Sequence, residues 1–325
     1  MEAKKENETF KILSLDGGGI RGLFSISLLA KLEQEFNVKC TDIFDMFAGT
    51  STGSIIALGL ASGMTASEIQ KFYQDIGPKI FTKKPSLWNI LFAKHNANNL
   101  KRSLEQIFKQ KTVQDVMNNN KYIIIPATNL SGPLVTRIFK TDYKKEFNEH
   151  NTYKLCDIAL ASSSAPTYFK TCGISKPNTD SKEYFCDGGL FANNPGVCAI
   201  TEAVKHLQKN VKEIKMLSIP TESKFRKKAD SKPRRGFLTG WGEELIETTL
   251  HATTQINNHI AEFILAENYF RAEPLGHIQN IKLDDANEKT LNTLVNIGHS
   301  TAVALKNSPF IQDIFKERIT IEQNA

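Results

Sequence analysis

The chain has 325 residues, an apolar share of 40% and a formal net charge of +6 at pH 7. That length admits one large α/β domain or two smaller ones, and the composition excludes a disordered or fibrous chain. The five cysteines (Cys40, Cys156, Cys172, Cys186 and Cys198) are odd in number and lack C-x-x-C spacing, which argues against a disulfide framework or a zinc site. The polar N-terminus has no hydrophobic signal region, and the longest apolar stretch, near Ile55 to Leu60, is too short for a membrane span, so a cytoplasmic location is expected.

Residues 1–9 read as a disordered start. Phe10 to Leu15 reads as a first buried strand, and Leu23 to Phe36 as its helix, with Leu23, Ile26, Leu29 and Leu32 on one stripe. Ile43 to Ala48 is expected as a second strand, followed by a helix from Ser51 to Ser62. Gly63 fits a helix C-cap, and Thr65 to Glu68 opens the next helix with a capping-box pattern. Tyr122 to Thr128 reads as a buried strand, with Leu134 to Lys140 beside it. Tyr184 to Cys186 is a short strand ending at Asp187, Ala199 to Leu207 a helix, and Ile214 to Ile219 a further strand. Strands alternating with helices imply a mainly parallel sheet covered on both faces. Beyond Gly236 the pattern is helical, from Leu245 to Leu265 and from Leu291 to Leu305. These are expected as a layer of the same domain, with Ser223 to Arg235 as the best boundary candidate.

Two motifs carry chemistry. Gly49-Thr50-Ser51-Thr52-Gly53, between an apolar run and a helical pattern, has the form of a nucleophile elbow that presents the Ser51 hydroxyl above a sheet. Asp16-Gly17-Gly18-Gly19-Ile20-Arg21-Gly22 is a glycine-rich turn whose N–H groups can face an anion. The same residues match the dinucleotide spacing at Gly17, Gly19 and Gly22, with Asp42 about 20 residues on. Asp42, however, precedes the second strand instead of ending it, and that reading leaves the serine motif unexplained. A serine nucleophile needs a base. None of the seven histidines lies in a motif-like setting, although His251 and His277 follow Asp187 in Ser–Asp–His order. Asp187, followed by Gly188 and Gly189, reads equally as an Asx-turn residue or as a functional carboxylate.

The ordered set Asp16 to Gly22, Gly49 to Gly53 and Asp187 to Gly189 resembles the patatin-like phospholipase family. Ser162 to Phe169 resembles the family's block before the catalytic aspartate, and Asn98 to Leu100 a segment before the middle strands. The resemblance covers about Phe10 to Pro220, taken as the catalytic core. It implies a three-layer α/β/α sandwich with C-terminal helices in residues 221–325. It further implies a lipid acyl hydrolase with Ser51 as nucleophile and Asp187 as base, a dyad without metal or cofactor. By the same resemblance Gly17, Gly18 and Gly19 supply the oxyanion hole. Asp16, Arg21, Gly22, Gly49, Gly53, Gly188 and Gly189 support the motifs.

The implied partner is a phospholipid membrane surface, with the protein peripheral to it; no nucleic acid is expected. Trp88 and Phe92, flanked by Lys83, Lys84 and Lys94, read either as an interfacial lid or as a core-packed helix. The basic stretch Lys224 to Arg235 reads as a solvated loop or as a contact for anionic lipid or a nucleotide. Some bacterial members of the family resemble effectors switched on by cyclic nucleotides, so a nucleotide activator is kept as an alternative.

Overall fold

Every position of the first strand, β1 (Phe10–Leu15), is buried. A strand covered on both faces belongs in the middle of a parallel sheet between helices. The computed structural model places it there; it describes residues 9–81, 93–133, 135–143, 150–177, 179–222 and 242–316. A short 3₁₀ turn leads to α1 (Gly22–Phe36), then α2 (Cys40–Ile43), β2 (Met46–Gly49), α3 (Thr52–Ala61) and α4 (Ala66–Ile80). Next come α5 (Ala97–Phe108), α6 (Val113–Asn118), β3 (Tyr122–Asn129), β4 (Thr136–Lys140) and α7 (Leu155–Ser163). They are followed by β5 (Cys172–Ser175), β6 (Lys182–Asp187), α8 (Gly189–Ala192), α9 (Gly196–Lys205) and β7 (Ile214–Ile219). The last part holds α10 (Gly242–Leu265), β8 (Tyr269–Arg271), α11 (Glu288–Leu305) and α12 (Pro309–Lys316).

The strands run in the order β5-β6-β3-β2-β1-β7-β8, with β4 also paired to β3. From β3 through β8 the pairings are parallel, whereas β3–β4, β3–β6 and β5–β6 are antiparallel. The sheet is therefore mixed, with a parallel half and an antiparallel edge. The short link from β3 to β4 leaves no room for the helical crossover that a parallel partner needs. The expected strand Ile43 to Ala48 divides instead: Ile43 ends the short α2, and β2 starts at Met46. A short apolar run does not by itself choose between helix and strand.

Helix α3 is buried at every position, so it lies wholly inside the protein. The capping box at Thr65 and Glu68 forms, and Gly63 takes a left-handed φ of 91° after α3. Leu294 of α11 and Phe315 of α12 share one hydrophobic cluster with Leu13 and Phe24. The C-terminal helices thus complete the core that β1 and α1 begin. All five cysteines are free. No described helix is long and apolar enough to cross a membrane. The segment with Trp88 and Phe92 and the basic stretch Lys224 to Arg235 lie outside the described residues.

Candidate active site

Ser51 sits between β2 and α3 with φ 53° and ψ −124°. A non-glycine residue rarely adopts this backbone, and the surroundings must hold it there. The Ser51 N–H donates to Ser162 Oγ at 3.0 Å, and Ser162 Oγ donates to the Pro126 carbonyl at 2.7 Å. Thr50 Oγ1 donates to the Ala192 carbonyl at 2.6 Å, and Ser54 Oγ to the Ser51 carbonyl at 2.6 Å. The flanking glycines let backbone approach backbone. A side chain on Gly49 would collide with the Gly53 carbonyl, one on Gly53 with the Leu15 carbonyl, and one on Gly188 with the Pro126 carbonyl. Gly22 faces Thr52 just as closely.

Sheet register brings Asp187 to this elbow. Ala48 of β2 pairs with Ile124 of β3, and Ala127 of β3 pairs with Asp187 of β6. Ser51 lies three residues past Ala48, and Ala127 three past Ile124, so Ser51 and Asp187 come level at one end of the sheet. The Ser51 side chain lies close enough to the Asp187 carboxylate to favour its ionised form, and Asp187 Oδ1 accepts the Gly189 N–H at 2.7 Å. The Asp187 N–H donates to the Ser164 carbonyl at 3.1 Å, so the Ser162 to Ser164 block grips both residues. Burial pushes the Asp187 carboxyl up to about 6, although the neighbouring Ser51 side chain and the Gly189 N–H pull it down. At neutral pH this leaves the carboxyl ionised, with a higher affinity for a proton than a solvated carboxylate has.

Both residues line an apolar cavity walled by α4 residues such as Phe72, Tyr73 and Ile76, and by Phe169. Gly18 and Gly19 also line it. Gly19 has a left-handed φ of 56°, and among the described residues neither glycine's N–H has a hydrogen-bond acceptor. Gly17 differs. Its N–H donates to the Asn193 carbonyl at 3.0 Å, and it is not among the lining residues, so of the three glycines expected to form an oxyanion hole only Gly18 and Gly19 border the cavity. Arg21 is buried, 3.8 Å from Glu222, and is not among the lining residues. The Asp16 carboxylate lies behind the turn on Arg271 at 2.6 Å.

Among the described residues no histidine lines this cavity. His251 Nδ1 is 2.6 Å from Glu222 Oε1, and His277 is exposed. His95 and His150, which read as residues of polar loops, are both buried. His95 meets Asp284 at 3.2 Å, and burial together with Arg137 and Lys140 holds His150 down at about 3. Among the described residues no group of three His, Cys, Asp or Glu side chains is placed to hold a metal ion.

The sequence pattern of the patatin-like phospholipase family matches residues 13–196. The chain belongs to this family. Relatives named cGAMP-activated phospholipase share its length. The one from Escherichia coli is 33% identical over 315 residues, 87% of this chain and 86% of the relative. That from Vibrio cholerae is 32% identical over 94% of each chain. The plant family member Patatin-like protein 1 from Oryza sativa is 32% identical over only 65% of this chain and 55% of its own.

Outside the family pattern, the chain contributes residues that sequence reading did not place at the site. Leu250 of α10 and Leu283 line the cavity. Thr253 Oγ1 donates to the Gly189 carbonyl at 2.9 Å, Asn193 Nδ2 to Thr254 Oγ1 at 2.7 Å, and Asn257 Nδ2 to the Asn194 carbonyl at 3.1 Å. The spacing Leu250, Thr253, Thr254, Asn257 is one helical face. Its run of short polar side chains within an otherwise apolar pattern was the available signal.

Proposed function

We propose that this patatin-like protein hydrolyses carboxylic esters of phospholipids or lysophospholipids through Ser51 and Asp187 and releases fatty acid. The observation that carries this reading is that Ser51 and the buried Asp187 come together on the wall of one apolar cavity. Ser51 Oγ attacks the ester carbonyl while Asp187 takes its proton. The carbonyl oxygen becomes an oxyanion opposite the Gly18 and Gly19 N–H groups, each donor being worth ~3 kcal/mol. The tetrahedral species collapses to an acyl-Ser51, and the leaving alcohol takes the proton back from Asp187. Water, deprotonated by Asp187, then attacks the acyl carbon, and its proton passes through Asp187 to Ser51 as the fatty acid leaves. The cavity takes the acyl chain, and the protein works at the surface of a membrane without crossing it.

Activation by a cyclic dinucleotide is part of this reading. The relatives named for cGAMP activation match 87% and 94% of the chain, whereas the rice relative stops at 65%. The C-terminal region is thus shared with the gated enzymes. The test is fatty-acid release from mixed phospholipid vesicles, with and without cGAMP, for the wild type, Ser51→Ala and Asp187→Asn. Release that rises with cGAMP and vanishes in both variants is expected. Full activity in either variant overturns the dyad, and release indifferent to cGAMP overturns the gating.

A further inference from the structure

Gly18 and Gly19, which line the cavity and whose N–H groups have no acceptor among the described residues, are suspended between neighbours that later parts of the chain hold in place. On one side, the buried Asp16 carboxylate meets Arg271 of β8, with Nη2 2.6 Å from Oδ2 and Nη1 3.4 Å from Oδ1. Sheet register brings them together: Ser14 pairs with Ser218, Ser218 pairs with Arg271, and Asp16 lies two residues past Ser14 on the same face. Arg271 is itself fixed, since Nη1 donates to Ser218 Oγ at 2.9 Å and Nε lies 3.4 Å from Glu273. The Gly17 carbonyl accepts from Thr221 Oγ1 and from Asn193 Nδ2. On the other side, the Ile20 N–H donates to the Leu283 carbonyl at 2.9 Å. Only Gly18 and Gly19 lie between these anchors, so the direction of their N–H groups follows from the anchors. Arg271 and Leu283 both fall outside residues 13–196.

We infer that Arg271 is a positioning residue for the oxyanion hole, resting on the reading of Ser51 as the nucleophile. By clamping Asp16 it aims the Gly18 and Gly19 amides at the oxyanion formed on Ser51. It touches neither Ser51 nor the cavity. The planar fork explains the choice of arginine: one side chain bridges both Asp16 oxygens and Ser218, which a lysine ammonium cannot do with the same geometry. The cost of misdirecting a preorganised donor falls on the transition state and not on substrate binding.

The test compares the full-length wild type with Arg271→Gln, Arg271→Lys, Asp16→Asn and the Asp16→Asn/Arg271→Gln double variant, all with cGAMP present. Two readouts are taken on folded protein: the rate at which a fluorophosphonate labels Ser51, and kcat and KM for a short-chain nitrophenyl ester. Arg271→Gln is expected to lower the labelling rate and kcat by about tenfold or more, with KM within about twofold. Arg271→Lys should fall between it and the wild type. The double variant should lose no more than Arg271→Gln alone, because both changes break one clamp. A wild type that is not labelled at Ser51 refutes the nucleophile reading. A labelled wild type with an equally reactive Arg271→Gln refutes the positioning role alone, as does additive loss in the double variant. Should Arg271→Gln fail to fold, wild-type labelling and kcat in Arg271→Lys refute the role just as well.

Discussion

Asn193 grips the Gly17 peptide from both sides. Its carbonyl oxygen accepts the Gly17 N–H at 3.0 Å, and its side-chain amide donates to the Gly17 carbonyl at 3.3 Å. The same amide donates to Thr254 of α10 at 2.7 Å. The loop after the candidate base, the glycine turn and the C-terminal helix are therefore joined at one side chain. Asn193→Ala removes the two side-chain bonds and leaves the backbone one. We expect a stability loss of about 1–2 kcal/mol, read as a shift in urea midpoint, and a fall in kcat of about tenfold.

The backbone at Ser51 gives a second prediction. With φ 53° and ψ −124°, it occupies a region that glycine enters without steric penalty and alanine does not. Ser51→Ala and Ser51→Gly both delete the hydroxyl, so their difference isolates the backbone. Ser51→Gly is expected to be more stable than Ser51→Ala by roughly 1 kcal/mol, with both inactive. Equal urea midpoints would show that the elbow stores no strain.

The pH dependence follows from Asp187, whose carboxyl burial raises from 3.8 to about 6. As a base it must be ionised, so kcat/KM should rise as pH increases through about 6 and level off above it. Stability runs the other way. The folded protein holds this proton more tightly than the unfolded chain, so ionising Asp187 costs stability as pH rises from about 4 to 6, and the loss persists above. Asp187→Asn should therefore be inactive yet more stable at pH 8, by on the order of 2 kcal/mol. Denaturant titrations at pH 5 and pH 8 measure both signs.

A fourth prediction concerns the cavity wall. Ile76 of α4 is half-buried and lines the cavity one turn beyond Tyr73, whose hydroxyl lies 2.6 Å from Thr52 Oγ1 beside the elbow. Ile76→Trp fills acyl-chain space without touching Ser51 or Asp187. Hydrolysis of long-chain phospholipid should fall about tenfold or more while a butyrate ester is cleaved at near wild-type rate. Equal losses on both substrates would place the acyl chain elsewhere.

Legibility varied along the chain for physical reasons. β1, α1 and β7 were readable because burial on both faces, or one apolar helical stripe, leaves a local imprint. The short α2 and the boundary of β2 were not, since a brief apolar run suits either conformation. β8 leaves no sequence signal because Tyr269 to Arg271 is too short to show a period, and only its partner β7 makes it a strand. Gly17, Gly18 and Gly19 are identical as letters. What separates them is the Asn193 carbonyl, which takes the Gly17 N–H, and the cavity, which only Gly18 and Gly19 line.

The sequence by itself determined the fold class, the elbow at Ser51 and the glycine turn, because these depend on residues adjacent in the chain: steric freedom, hydrophobic period and turn chemistry. Its local pattern leaves Asp187 balanced between a turn residue and a base, and only the family resemblance favours the base. Only the tertiary structure brought Asp187 level with Ser51, through the antiparallel pairing of β6 with β3, and buried it enough to raise its affinity for a proton. The same holds for Arg271, Leu250 and Leu283, which reach the turn and the cavity from more than 200 residues further along the chain than Asp16. Register, burial and electrostatic neighbourhood are properties of the packed sheet, and no window of neighbouring residues contains them.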